Sequence, residues 1–228
     1  PVVLVITGGS ALAVNWADAH VAAILDVWYG GAEIGTALGE VLAGACVPSG
    51  RLPLTFYESV QQLPAFIEYA MAGRTYRYFE GEPLYRFGYG LSYSTFAYGG
   101  LRAPEAVQAG ASVDVTVSVT NAGTRAAHEV AQLYVSNLDA AVPVTIRQLA
   151  GFARIHLEAG ETRVMNFTIA PPALSVIDDD AKRRVHPGRF RITAGGSQPG
   201  DTKAASRGVA TPLAAEIALT GDPIEIER

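Results

Sequence analysis

Cysteine is almost absent from this 228-residue chain: Cys46 stands alone. That excludes an internal disulfide and a thiolate metal centre, and it leaves the redox compartment open. Positive charge is also scarce. Lys and Arg number 17 against 22 Asp and Glu, giving a net charge of −5. A phosphate backbone needs a basic face, so nucleic acid is excluded as the main partner. Apart from Lys182, Arg183 and Arg184, the basic residues are scattered. No apolar run approaches the roughly 18 residues of a membrane span, so no membrane partner is expected. No internal repeat or low-complexity tract is present. The chain enters VVLVI directly after Pro1, with neither methionine nor leader. Such an opening predicts a piece of a longer protein.

What is present can bury a core: 49% of residues are hydrophobic and 17% charged. The β-branched run at residues 2–6 predicts a strand buried on both faces, of the parallel-sheet kind. After the turn TGGS, the stretch NWADAHVAAILDVWY has near-helical apolar spacing, with Asn15 as its N-cap. Residues 32–44 predict a second helix, with Glu33 in its first turn and Gly44 at its C′ position. PSGRLPLTF predicts a turn and a short extended segment, because two prolines forbid a long helix. One strand and two helices do not make a covered sheet, a second sign of an incomplete unit.

From Phe96 onward the period changes to two. Val113, Val115, Val117 and Val119 alternate with Asp114, Thr116 and Ser118, and an Asn-Ala-Gly turn follows. HEVAQLYVS, RQLAGFARIHL, TRVMNFTIAP, GRFRITAGGS and AAEIALTG predict further strands. Residues 198–212, rich in small and polar side chains, predict a long mobile loop. The fold class is therefore an incomplete α/β domain over 1–96, followed by an all-β, immunoglobulin-like sandwich over 97–228.

Each candidate for chemistry has a plainer alternative. TGGS begins like a phosphate-binding turn but lacks the third glycine and any Gly-Lys-Ser/Thr, so a tight turn is the better reading. Ser10, Asp18 and His20 form no Gly-x-Ser-x-Gly elbow and sit too close in sequence for a triad. His20, His128, His156 and His186 lie apart in sequence, and no metal site is expected from them. Asp178, Asp179 and Asp180 suit calcium or, better, a solvated hairpin tip beside Lys182, Arg183 and Arg184. Asn166-Phe-Thr168 fits a glycosylation sequon but falls mid-strand. The acids of the α/β half are Asp18, Asp26, Glu33, Glu40, Glu58, Glu68, Glu80 and Glu82. Glu80 and Glu82, which flank a glycine beside aromatics, have the most site-like setting among them. Tyr134, Phe152 and Phe167 sit on apolar alternations and read as core, not as an exposed sugar-binding row.

Taken in order, PVVLVITGGSALAVNWAD, ILDVWYGGAEIGTALGEVLAG, PSGRLPLTFY, LPAF and GRTYRYFEGEPLYRFGYGLSYSTF resemble glycoside hydrolase family 3, in its β-glucosidase and β-xylosidase branch. The β half, through VTVSVTNAGTRAAHEVAQLYV, RQLAGFARIHLEAGETRVMNFTI and PGRFRITAGGS, is similar to the fibronectin type III-like domain that closes many members. The resemblance implies a retaining, exo-acting parent enzyme built from a (β/α)₈-type barrel, an α/β sandwich and this domain. Its nucleophilic aspartate lies in the barrel, and its acid/base glutamate lies upstream of the strand that here begins at Pro1. Neither position exists in this chain. No catalytic residue is therefore carried over, and the chain alone is expected to be inactive. The resemblance implies no cofactor and no metal. The partners it implies are a β-linked oligosaccharide, a barrel domain and, possible for this scaffold, a homodimer mate. It favours the periplasm or extracellular space and leaves the cytoplasm open. Arg74 and Tyr76 are candidates for sugar contact, against the plainer alternative of interdomain packing. Tyr85, Phe87, Tyr89 and Tyr93 are expected to pack between the two halves, with Gly88 and Gly90 allowing close backbone approach. A non-catalytic carbohydrate- or partner-binding module is the alternative function, and bracing of the active-site domains is a third.

Overall fold

A computed structural model describes residues 1–178 and 180–226. The α/β half opens with β1 (Val3–Ile6), α1 (Asn15–His20), β2 (Ala23–Asp26) and α2 (Ile34–Leu42). The strands β1 and β2 pair in parallel, with Val3 opposite Ala23 and Ile6 opposite Asp26. This corrects the helix expected through Tyr29. The chain turns extended at Val21, and Ala22 N–H donates to the Val2 carbonyl. A short apolar run such as AILD fits either period, and pairing with β1 decides the outcome. Asn15 does not cap α1: its side chain donates to the Glu58 carbonyl at 2.7 Å, and Val14 occupies the cap position.

Helix α2 ends as its glycine predicts. Gly44 has φ +73°, its N–H donates to the Val41 carbonyl, and Ala45 N–H reaches back to Glu40. That pair of bonds is the Schellman closure. Glu33 sits at the N-cap, not in the first turn, and accepts from Thr36 Oγ1 at 2.9 Å. A 3-10 turn (Val60–Gln62) and α3 (Thr75–Tyr78) complete this half. Among the described residues, no helix is long and apolar enough to cross a membrane.

The β half contains β3 (Phe96–Arg102), β4 (Ala106–Gln108), β5 (Val113–Asn121), β6 (Ala127–Asn137), β7 (Gln148–Leu157), β8 (Thr162–Ile169), β9 (Val176–Ile177), β10 (Arg183–Val185) and β11 (Gly188–Gly195). Then come α4 (Thr202–Ser206), β12 (Leu213–Thr220) and β13 (Ile224–Glu225). Two sheets, in strand orders β4-β12-β11-β6-β7 and β3-β5-β8, form a sandwich, and β13-β10-β9 make a small third sheet. The four valines of β5 are fully buried. Val113, Val115 and Val117 pack in one cluster with Leu133, Val135, Phe190, Ile192 and Ile217, and Val119 in a second with Ala131, Ile155 and Leu157. Burial of each valine is worth about 1.5–3 kcal/mol, so the period-two pattern determines which face turns inward.

Two expectations for the β half are corrected. Residues 198–212 are not simply a loop. Asp201 caps α4 by accepting from Ala204 N–H at 2.8 Å, and Ala204 is fully buried. Phe152 is not core but 67% exposed. In β7 the inward phase is carried by Ile155 and Leu157, so even-numbered Phe152 points outward with Arg154 and His156.

The FGYG stretch fits tightly against the sandwich. Gly88 has φ +80°, and a Cβ there would collide with the Gln132 side chain and come within 2.8 Å of the Tyr134 hydroxyl. The Gln132 amide instead donates to the Gly88 carbonyl at 3.1 Å. Gly88→Ala combines a left-handed backbone with a steric clash and is expected to cost about 1–3 kcal/mol. Thermal unfolding followed by circular dichroism should show a Tm lower by several degrees, and an unchanged Tm would contradict this packing.

Candidate functional site

The two halves meet through the residues between them, and these decide what chemistry remains available. Arg51, from PSGRLP, reaches into the end of the sandwich. Its Nη2 donates to Glu129 Oε2 at 2.6 Å and its Nε to the Gly196 carbonyl at 3.1 Å. Both side chains are more than nine-tenths buried. Tyr98 donates to the other Glu129 oxygen at 2.8 Å. Burial pushes the Glu129 carboxyl up, while Arg51 and Tyr98 pull it down. Gln132 adds a donor to the Gly196 carbonyl at 3.0 Å, and Arg154 binds Ser49 Oγ. Arg125 donates to the carbonyl of Gly44. A charge buried without such partners would be expensive, so Glu129, at an inward position of β6, required a cation from elsewhere.

A second fastening joins α1 to α4. Asp18 accepts from the Tyr85 hydroxyl at 2.6 Å, from Lys203 Nζ at 2.8 Å and from Arg207 Nη2 at 2.8 Å. Arg207 also donates to the Tyr89 hydroxyl at 3.2 Å, and Lys203 to the Leu84 carbonyl at 2.9 Å. Burial alone would raise the Asp18 carboxyl; the bonds from Lys203, Tyr85 and Arg207 outweigh it and hold it at about 2. Tyr85 and Tyr89 are buried between the halves, as expected. Phe87 is half-buried and stacks on Tyr76 with ring centroids 4.2 Å apart. Tyr93 departs from the expectation: it is 49% exposed, with its hydroxyl donating to the Val41 carbonyl.

Arg74 and Tyr76 are placed differently from each other. Arg74 gathers the loop before it, donating to the carbonyls of Ala65, Glu68 and Ala70 at 3.1, 2.7 and 3.2 Å. That loop displays Phe66, Ile67 and Tyr69, all more than 80% exposed. Tyr76 packs inward against Phe87 and Tyr134, and its hydroxyl accepts from Leu149 N–H at 3.1 Å. Beside Arg74 lies an open depression of ≈ 500 Å³, lined by Gln62, Pro64, Tyr78, Phe79, Glu80 and Ile146 among others.

The remaining candidates are spread out. Ser10 is exposed, Asp18 is engaged as above, and His20 stacks on Trp16, its Nδ1 2.7 Å from the Trp16 carbonyl. They form no triad. Glu82 pairs with Arg86 at 2.6 Å, and Glu80 lies on the rim of the depression. Asp26, at the carboxyl end of β2, accepts from Trp28 N–H at 3.3 Å, and burial raises its carboxyl. Asn166 is exposed on β8. Asp178 accepts from the Lys182 and Asp180 N–H groups and pairs with Arg184, as a hairpin tip does; Asp179 lies outside the described residues. Among the described residues, no group of three or more His, Cys, Asp or Glu is placed to hold a metal. Sequence reasoning missed Glu129, Gln132, Lys203 and Arg207. For Glu129 the signal was available: a carboxylate at an apolar phase of HEVAQLYVS. For Lys203 and Arg207 there was none, because their partner Asp18 is more than 180 residues away.

Comparison with known proteins identifies two families along the chain. Residues 1–93 match the glycosyl hydrolase family 3 C-terminal domain, and residues 129–198 match the fibronectin type III-like domain. A xylan 1,4-β-xylosidase of Xylanibacter ruminicola is 41% identical over 86% of the chain, corresponding to 22% of that protein. A periplasmic β-glucosidase of Salmonella typhimurium is 36% identical over 86% of the chain and 27% of its own length. Among solved structures, a β-glucosidase of Listeria innocua in complex with gluconolactone superposes with TM-score 0.82 at 27% identity, over 97% of this chain and 31% of that one. The chain thus spans about a quarter of the length of the curated relatives it matches.

Both fastenings can be tested. Removing one partner of the buried pair strands the other, so Glu129→Ala or Arg51→Met should each cost about 3–5 kcal/mol. The double variant should cost less than the sum, because neither charge is then left behind. Urea denaturation of all four proteins checks this, and additive losses would refute the coupling. Asp18, depressed from 3.8 to about 2, contributes stability that is full above pH 4 and lost as pH falls toward 2. Wild type should therefore lose about 2 kcal/mol more than Asp18→Asn between pH 5 and pH 2. Equal losses in the two proteins would contradict the assignment.

Proposed function

This chain is a glycosyl hydrolase family 3 C-terminal domain joined to a fibronectin type III-like domain, and from that premise we propose that it serves as the C-terminal part of an exo-acting, retaining β-glycosidase. The substrate class is a terminal β-linked glucose or xylose unit. The observation that carries the reading is the order of the two matched domains, together with relatives named β-xylosidase and β-glucosidase. Retaining glycosidases need two carboxyl groups about 5–5.5 Å apart, one ionised as nucleophile and one protonated as acid. In this chain the carboxylates most firmly held are spent on structure. Asp18 is bound by two cations and a hydroxyl, and Glu129 is sealed against Arg51. The chain's contribution is to hold surfaces in place; in this reading the nucleophilic aspartate belongs to a barrel domain of the full enzyme and the acid/base glutamate to another part of its α/β sandwich domain.

Within this reading, residues 1–96 and 97–228 are two units joined by the Arg51 and Asp18 fastenings, the second bracing the first. Sugar contact near Arg74 would run through the loop that Arg74 shapes. Tyr76, its hydroxyl and ring face already engaged, would act as packing support. A second copy of the chain remains a candidate partner for the same scaffold.

The chain alone should hydrolyse neither 4-nitrophenyl β-glucoside nor 4-nitrophenyl β-xyloside. Turnover that co-purifies with the polypeptide and is lost on substitution of Asp26 or Glu80 would show that the chain holds reacting carboxylates of its own and would overturn the reading. Saturable calorimetric binding of soluble xylo- or gluco-oligosaccharides would instead favour a carbohydrate-binding module.

A further inference from the structure

Histidines 128 and 156 are 28 positions apart, yet the antiparallel register of β6 and β7 sets them directly opposite one another. Their rings meet edge to face, with centroids 4.9 Å apart and planes at 69°. They stand on the outward phase of the sheet, away from the sandwich core, and the His156 side chain is 47% exposed. Neither ring is used by the fastenings between the two halves. The pair sits next to them, because the adjoining Val130–Arg154 position sends its guanidinium to Ser49.

The geometry points to a two-histidine site for a divalent transition-metal ion on the outer face of β6 and β7, completed by water. The spacing carries this. Two imidazole nitrogens each about 2.0–2.1 Å from one ion, subtending an angle of roughly 90–110°, place the ring centroids about 4.5–5.2 Å apart. The observed separation falls inside that window, so the strand register suits a shared ion once the rings turn about their side-chain bonds to aim one nitrogen each at it. Imidazole is a good ligand for zinc, nickel and copper(II), and the d-block order favours nickel over manganese or iron at such a site.

Two further requirements bear on such a site. A ligating histidine is usually oriented by a carboxylate on its other nitrogen. Glu158 Oε1 lies 3.9 Å from His156 Nδ1, beyond hydrogen-bond distance, so a side-chain rotation is needed before it can orient that ring. The ligands must also be free of protons. The charged groups near the pair include Arg154, Glu158 and Glu161, so acids outnumber bases there. With only two protein ligands the ion is held openly and exchangeably, at micromolar rather than structural strength.

The test is calorimetric titration of nickel chloride into the untagged chain at pH 7.5. One saturable site is expected. His128→Gln and His156→Gln should each weaken it by about tenfold or more, while the His20→Gln/His186→Gln double variant leaves it unchanged. A measurement independent of any variant is paramagnetic broadening of the His128 and His156 ring resonances by substoichiometric nickel. Wild-type binding that is absent below about 1 mM, or that persists undiminished in both single variants, overturns the site. Broadening that favours His20 or His186 overturns it as well.

Discussion

A carboxylate buried between two β-sheets needs a cation, and in this protein the cation comes from the other half of the chain. Glu129 lies on an inward phase of β6, and Arg51 reaches it across the seam. Neither residue is tolerable there without the other, since an isolated buried charge costs far more than the pair. The consequence is geometric as well as energetic. To deliver Arg51, the PSGRLP turn must press against the end of the sandwich, and FGYG must follow closely enough that Gly88 touches Gln132. The aromatic stretch from Tyr76 to Tyr89 is then trapped between the halves, where its rings supply buried area and its hydroxyls find Asp18, Arg207 and the backbone of β7.

Much of the β half was legible because its information is local. Val113 to Val119 alternate with polar residues, and burial of one face leaves a single acceptable register. The end of α2 was legible for the same reason, since Gly44 and its neighbours close the helix within five residues. The α/β half was harder. AILD is apolar on both sides, so its period carries no choice between helix and strand, and the answer lay in β1, twenty positions earlier. Helix α4 was hidden by its small side chains. Its cap, Asp201, was visible, but its anchor to Asp18 was not.

The candidate site divides along the same line. Arg74 and Tyr76 stood out as an arginine and a tyrosine beside glycines, a composition that suits both sugar contact and packing. Arg74 spends its donors on three carbonyls of one loop, and Tyr76 donates its ring to a stack. The paired histidines are the opposite case. Apart in sequence they carry no signal at all, and a strand register alone brings them together.

The loop between β11 and β12 sends Lys203 and Arg207 across to a helix near the opposite end of the polypeptide. Such a reach ties the inheritance of the two halves together. A chimaera that grafted a distant relative's sandwich onto this α/β half would keep the sheets and the hydrophobic interior, yet it would arrive without the matching pair of cations. The aspartate would then face solvent-poor surroundings unopposed. Recombination between family members should therefore succeed when crossovers transfer this loop and the first helix as one unit.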